Sequence, residues 1–515
     1  MLEQFTRDDV AGYHSSRYVP SRTIVTLVGD LDEEVALAAL RAQWGEWRRP
    51  AVPIPDGPAE TGAATVQVRR LQGDVALAEV VLGWRAPGVL DAEIPALDLA
   101  SAILGVGRAS RFGKSLRESG LVNGVGVSTY GVTDAGIFSI GLELNPERIP
   151  AALAVIGRTL QDLAMHAPDA QEFDRALTML RAGIRRRLER FESRATSLAD
   201  AEAHGDVTRL DREESDLLAV TPAMVRDAVQ RWLVPDGVSA VGYLPRQSEV
   251  EFDEGMLRAG INSRRPERSE GLPESTRHEA RKPFAALRAT PSHVSRVTSH
   301  ASIHHVALDH TDILTARFGE TGQTSLGIYR RRIQVENAVN AGLSALAVRT
   351  MVRGTERYDA AGLAFAMESL GGSLTQILSS DLIGFGTTVL RDHARSAAEL
   401  LAEVLHRPRF AAESVEIERA ILLEDARAVA DDMMRFPMQL MLGVAFGDAG
   451  YGSPTLGTEQ SVAAINETEL RRWHAGLLDG GRTTIVAVGD ADPERLAEEI
   501  AEVVISTDVI PSEAR

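Results

Sequence analysis

A pattern near the start of the chain that returns near its end limits the fold more than any other feature. FTRDDVAGYHSSR, residues 5 to 17, opens with Thr6 followed by acidic residues, a good helix start because hydroxyl and carboxylates meet the unpaired amides of a first turn. A β-branched run, Thr23 to Val28, is predicted as a strand and is closed by Gly29-Asp30. DLDEEVALAALRAQWGEW then places Val35, Leu37, Leu40 and Trp44 at mostly helical spacing. The order helix, strand, helix recurs in INETELRRWH, RTTIVAVGD and DPERLAEEI. His14 matches His474, Arg22 Arg482, Thr23 Thr483, and Val28-Gly29-Asp30 Val488-Gly489-Asp490. A looser third copy is TPAMVRDAVQRWL with GVSAVGYL, residues 221 to 244. Recurrence of one unit predicts duplicated domains rather than one long fold.

Between these copies, Thr65 to Arg70, Ala76 to Trp84 and GIFSIGLEL read as strands, and Leu97 to Leu104, Glu147 to Met165 and Ala170 to Glu192 as helices. The last of these is basic, in RAGIRRRLERFESR, and its charge spacing predicts a solvated face. GRASRFGKS invites a phosphate-loop reading, but Gly107 and Gly113 stand one residue too far apart for that loop, leaving a glycine-rich helix start. Residues 246 to 298 turn charged and rich in Ser and Pro, a predicted linker. Strands resume at HVALDHTDILTARFG and TSLGIYRRRIQ. Beyond them lie a helix at Ala361 to Leu370, strands at Ser373 to Leu378 and Gly384 to Val389, and helices at Ala394 to Leu405 and Ala412 to Ala430. Helices and strands mix without a β-α-β alternation, so the class is α+β.

A net charge of −18 argues against nucleic-acid or anionic-membrane partners, which need a basic face. The chain has no cysteine, which removes thiolate ligands, a cysteine nucleophile and disulfides. With no basic-then-apolar leader in MLEQFTRDDVAGYH and no run of about 18 apolar residues, a cytoplasmic protein is expected.

The chemistry concentrates in AGLSALAVRTMVRGT, Ala341 to Thr355. This stretch resembles the zinc helix of the M16 peptidase family (insulinase, pitrilysin, mitochondrial processing peptidase), near G-L-A-H-x-x-E-H-x-x-x-x-G-T, with Gly342, Gly354 and Thr355 holding the register. The motif H-x-x-E-H needs two imidazoles one helical turn apart to ligate the metal and a Glu to take a proton from bound water. Here the two His places are Ala345 and Arg349, and the Glu place is Val348. Glu418 to Asp425 resembles the E-R-x-x-x-x-E-E pattern that carries the family's third ligand, which puts Asp425 in that place. FGDAGYGSPTLGT resembles F-G-x-x-x-Y-G-x-P-x-x-G-T, and the likeness covers residues 299 to 515. In residues 65 to 245, Ser110-Arg111-Phe112 and Leu116-Arg117-Glu118 match the hallmark of the family's metal-free domain, near S-S-R-L-x-x-x-L-R-E-x-G-L-A-Y.

The resemblance implies duplicated helix-covered antiparallel sheets of the LuxS and processing-peptidase kind. It divides the chain into residues 1–50, the tail of a zinc-type domain; 51–245, a metal-free domain; 246–298, a linker; and 299–515, a degenerate zinc-type domain. It implies no zinc in this chain, which alone is expected inactive. Zinc would be held by a complementary domain, upstream or on a separate subunit, with a peptide or polypeptide as substrate. In active members an Arg and a Tyr reach the neighbouring zinc domain and hold the substrate carbonyl; those places are Arg117 and Asn123. A surface salt bridge is the alternative for Arg117. A non-enzymatic binding subunit, like the peptidase-like core proteins of the bc1 complex, is the alternative for the whole. The histidines of SHASIHHVALDH are a further metal candidate, weakened because adjacent His304 and His305 point to opposite faces of a strand.

Overall fold

The computed structural model describes residues 4–51, 65–262, 303–319, 322–332, 335–429, 432–479 and 481–506. They form a short helical tail and two sheet-based units. The tail holds α1 (Arg7–Arg17) and α2 (Glu33–Trp44). The first unit comprises β1 (Gln67–Gly73), β2 (Ala78–Ala86), α3 (Ile94–Gly105), β3 (Gly124–Gly131), β4 (Gly136–Leu144), α4 (Ile149–Met165) and α5 (Ala170–Glu189). It continues through α6 (Phe191–Ala203), α7 (Arg209–Ala219), α8 (Pro222–Trp232), β5 (Val238–Pro245) and α9 (Glu254–Ile261). The second comprises β6 (His304–Leu308), β7 (Thr311–Arg317), β8 (Gln323–Arg331), α10 (Leu343–Met351), α11 (Ala360–Glu368), β9 (Thr375–Leu378), β10 (Leu382–Leu390), α12 (Ala394–His406) and α13 (Ala412–Val429). It ends with α14 (Arg435–Phe446), α15 (Glu459–Ala464), α16 (Glu467–Leu478), β11 (Thr483–Gly489) and α17 (Pro493–Ser506).

The first sheet runs β1-β5-β2-β4-β3 and the second β6-β7-β11-β8-β10-β9. With the extra edge strand β6 set aside, the two orders are the same. In each unit the last strand returns between the first two, parallel to one and antiparallel to the other. That return puts one parallel pair, β1–β5 or β7–β11, into sheets that are otherwise antiparallel. Alternation sets the faces: in β2, Leu82 and Trp84 turn inward, and the Trp84 indole N–H donates to the Val234 carbonyl at 3.0 Å. α3 is apolar on nearly every side because it is buried on nearly every side. Each unit has its own apolar core.

Two expectations need correction. Residues 246–262 are not linker: Asp253 caps α9, whose Leu257 and Ile261, with Phe252 before it, are buried in the first core. The remainder of the expected linker, 263–298, lies outside the described residues. Nor do Thr23 to Val28 form a strand. A strand needs neighbours to take its amides and carbonyls, and among the described residues no sheet pairs with it.

Candidate functional site

α10 begins where the chain must turn left-handed. Gly342 has φ +87°, and a Cβ there would stand 2.8 Å from the Leu456 carbonyl oxygen, so the loop containing SPTLGT closes directly over the helix start. The buried Glu336 carboxylate accepts from the Gly342 and Ser344 amides at 2.9 and 2.7 Å, placing negative charge at the positive helix end. The Trp473 indole N–H donates to Ser344 Oγ at 3.1 Å. The helix is therefore rigidly seated.

On it, Ala345 and Val348 are buried among apolar neighbours. Arg349 reaches across to α13, where its Nη2 donates to Asp425 Oδ2 at 2.6 Å. The fold thus brings together the sequence-predicted positions, but as an ion pair beside a methyl and an isopropyl group. This donor set does not fit zinc. Neither alkyl group has a lone pair, a guanidinium is donor-only, and the one carboxylate is already paired with a cation.

The C-terminal end of α10 meets the first unit. Arg353 binds Glu418 of α13 and also Glu118, which in turn accepts from Arg108 Nε at 3.1 Å. Glu118 follows a single π-helical turn, Gly113–Arg117, whose Lys114 ammonium sits 5.9 Å above the Phe365 ring of α11. The Leu116-Arg117-Glu118 match therefore abuts the degenerate helix of the same chain. Arg117 itself is exposed; its carbonyl accepts from the Gly120 N–H at 3.0 Å, and its side chain makes no hydrogen bond or ion pair with the described residues. Asn123 is exposed too, and its backbone N–H donates to the Glu143 carbonyl at 2.7 Å.

What sequence reasoning missed is the joint between the units. Glu368, at the end of α11, inserts into the Gly107 loop. Its carboxylate accepts from the Arg108 amide at 2.6 Å and the Ala109 amide at 3.2 Å, and pairs with buried Arg175 of α5 at 2.9 Å. A Cβ on Gly107, φ +84°, would stand 2.4 Å from that carboxyl group. The glycine-rich loop is thus an anion cradle filled by the chain's own carboxylate. Burial raises the Glu368 carboxyl above its ordinary value, opposed by Arg175 and the two amides. Nor is basic α5 simply solvated. Arg186 donates to the Gly371 carbonyl at 3.0 Å, Gln323 donates to the Ala182 carbonyl at 2.7 Å, and Arg181 and Arg185 bind Glu214. The signal was present as an arginine-dense helix, but charge spacing does not say what a face meets.

His305 Nε2 lies 2.9 Å from Asp312, which Arg482 also grips, so this histidine is engaged in a salt-bridge cluster. His300 lies outside the described residues. Among the described residues no group of three or more His, Asp or Glu is placed to hold a metal, and no helix is long and apolar enough to cross a membrane.

Residues 4–180 match the family model described as the peptidase M16 inactive domain, and residues 334–459 that of insulinase, peptidase family M16. An uncharacterized zinc protease of Mycobacterium tuberculosis is 28% identical over 167 residues, 32% of this chain and 38% of the relative. The mitochondrial-processing peptidase subunit beta of Dictyostelium discoideum is 23% identical over 168 residues, 32% of this chain and 36% of that subunit. The chain thus spans well under half the length of these curated relatives. A protease from Helicobacter pylori superposes with TM-score 0.44 and 19% identity, covering 47% of this chain and 60% of that one. The ferredoxin protease FusC in complex with Arabidopsis ferredoxin gives TM-score 0.42 and 14% identity, covering 92% of this chain and 55% of that one.

Proposed function

Because the chain belongs to the M16 peptidase family, we propose that it is the non-catalytic part of a peptidase, forming a wall of a peptide-holding chamber beside a zinc-bearing half carried elsewhere. The Arg349–Asp425 pair carries this reading. At the place where the family activates water, this chain has a fixed guanidinium bound to the remaining carboxylate, so it can neither hold the metal nor take the water's proton. Exposed Arg117 supports a role beyond folding, since a guanidinium without a side-chain partner among the described residues is available to meet the negative charge that builds on an attacked peptide carbonyl.

The test has two steps. The purified full chain is expected to hold no stoichiometric zinc by elemental analysis and to leave a quenched peptide uncut. Mixed with a zinc-bearing M16 half, it should raise chelator-sensitive cleavage. Arg117→Ala should then cut turnover on the order of 100-fold with unchanged melting. Chelator-sensitive cleavage by the chain alone would sink the proposal. A complex in which Arg117→Ala turns over like the parent would favour the binding-subunit alternative, in the manner of the bc1 core proteins.

A further inference from the structure

The arginines of α5 are not alike. Arg175 pairs with Glu368, Arg181 and Arg185 with Glu214, and Arg187 with Glu213. Arg186 is the exception, with no carboxylate paired to it among the described residues. Its Nη1 donates to the Gly371 carbonyl at 3.0 Å and points toward the Thr388 carbonyl at 3.5 Å, while Nε and Nη2 make no hydrogen bond with the described residues. The flat Nε–Nη2 edge, with its parallel N–H groups, is therefore open. Burial lowers the Arg186 pKa from its ordinary value, opposed by Glu189. The guanidinium is thus partly withdrawn from water without a counter-ion.

Arg186 lines a cleft of about 430 Å³ where α5 passes the second sheet. Alternation makes its floor: along β8 and β10, Leu326, Phe385 and Val389 turn into the core, so Ser325, Gly386 and Thr388 face the other way. Ser325 and Thr388 stand opposite each other with their hydroxyl oxygens 2.8 Å apart, and one hydroxyl proton of the pair stays free to donate. Gly386 keeps the floor open, since a Cβ there would stand 3.3 Å from the Leu326 carbonyl oxygen and 3.8 Å from Ile377 Cδ1. β9 adds Thr375 and Ile377 to the lining. Among the described residues no carboxylate lines this cleft, in a chain whose net charge is −18.

We propose that this cleft holds a peptide by its C-terminal carboxylate, with the Arg186 Nε–Nη2 edge on both oxygens, a floor hydroxyl as a further donor and the last side chain against Ile377. A carboxylate suits the cleft better than a phosphate, because one guanidinium balances one negative charge and its fork matches a planar pair of oxygens. A chain end suits it better than an acidic side chain, because only the chain end brings an apolar side chain next to its carboxylate, and Ile377 offers that side chain a surface. The assignment rests on the chamber reading for its ligand class, a peptide, and names the part of the peptide that is held.

The purified full chain is titrated, by fluorescence anisotropy, against a short uncharged peptide labelled at its N-terminus and ending in leucine. The peptide is used as the free acid, as the C-terminal amide, and as an amide carrying one internal glutamate. The free acid should bind, and both amides should bind at least about ten-fold more weakly, the scale of a lost charge-assisted hydrogen-bond pair. Arg186→Gln should weaken the free acid by as much, whereas Arg185→Gln, which removes a cation already paired with Glu214, should leave it unchanged. Melting is measured for each variant, and the comparison of acid with amide uses the parent chain, so it stands even where Arg186→Gln loosens the contact with Gly371. An amide that binds like the acid, a free acid that Arg186→Gln binds like the parent, or no binding at millimolar peptide each overturns the proposal. A glutamate peptide that matches the free acid moves the ligand to a side-chain carboxylate and overturns the chain-end assignment. No zinc-bearing half enters the titration, so its failure leaves the chamber reading to its own cleavage test.

Discussion

Two arginine–carboxylate contacts of similar length have different surroundings. Arg349–Asp425 measures 2.6 Å, and water reaches both side chains; Arg175–Glu368 measures 2.9 Å and is sealed between the units. In water the Coulomb gain of such a pair is small and screened, whereas in a dry setting each charge depends on the other. The first pair, reached by water, should carry little stability. The second holds the molecule's joint and cannot lose one partner cheaply.

The largest break in this comparison is Glu368→Ala, which strands the Arg175 guanidinium in a dry site and should cost about 3–5 kcal/mol by chemical denaturation. Adding Arg175→Met should recover much of that loss. A double variant no better than the single one would mean that the amides of the Gly107 loop, not the ion pair, carry the joint. Next is Leu257→Ala in α9, expected to cost about 3 kcal/mol as a buried-core truncation. A cost within about 0.5 kcal/mol would return residues 246–262 to the linker.

A pH titration sharpens the contrast between units. Burial, then Arg330, His474 and Arg407, lowers the His406 pKa to about 4. The unfolded chain takes that proton near pH 6.5 and the folded chain does not, so this contribution is whole above 6.5 and is lost as pH falls toward 4. By the size of the shift it is worth about 3 kcal/mol at most, and His406→Leu should flatten the slope in that window. The smallest effect is Arg349→Met, about 0–1 kcal/mol with no gain of zinc by elemental analysis. A loss of several kcal/mol would show that this pair, too, is holding the fold.

The sequence made the strands and long helices of both units readable because their apolar periods are strong: α4, α5, α12 and α13 lie within a few residues of where spacing puts them. Ala345, Val348 and Arg349 are plain in the sequence, but the pairing of Arg349 with Asp425 depends on how α10 and α13 lie together. Three features were not legible, each for a tertiary reason. Thr23 to Val28 has a strand's composition, but strand formation is a property of neighbours. α9 was lost in a polar stretch because Phe252, Leu257 and Ile261 are too few to show a period. The Glu368 cradle joins residues far apart in sequence, and neither Gly107 nor Arg175 announces its partner locally.

α5 has a mechanical consequence. It belongs to the first unit's core through Phe173 and Ala176, yet it touches the second through Arg175 near its beginning, Ala182 in its middle and Arg186 toward its end. A helix of 20 residues is about 30 Å long, so these attachments spread along a stiff rod rather than gathering at a point. A point attachment would let the units swivel; a rod fastened along its length resists both swivel and slide and transmits torque. A load on the second sheet therefore reaches the same rod whose start, through Arg175, holds the loop before Arg117.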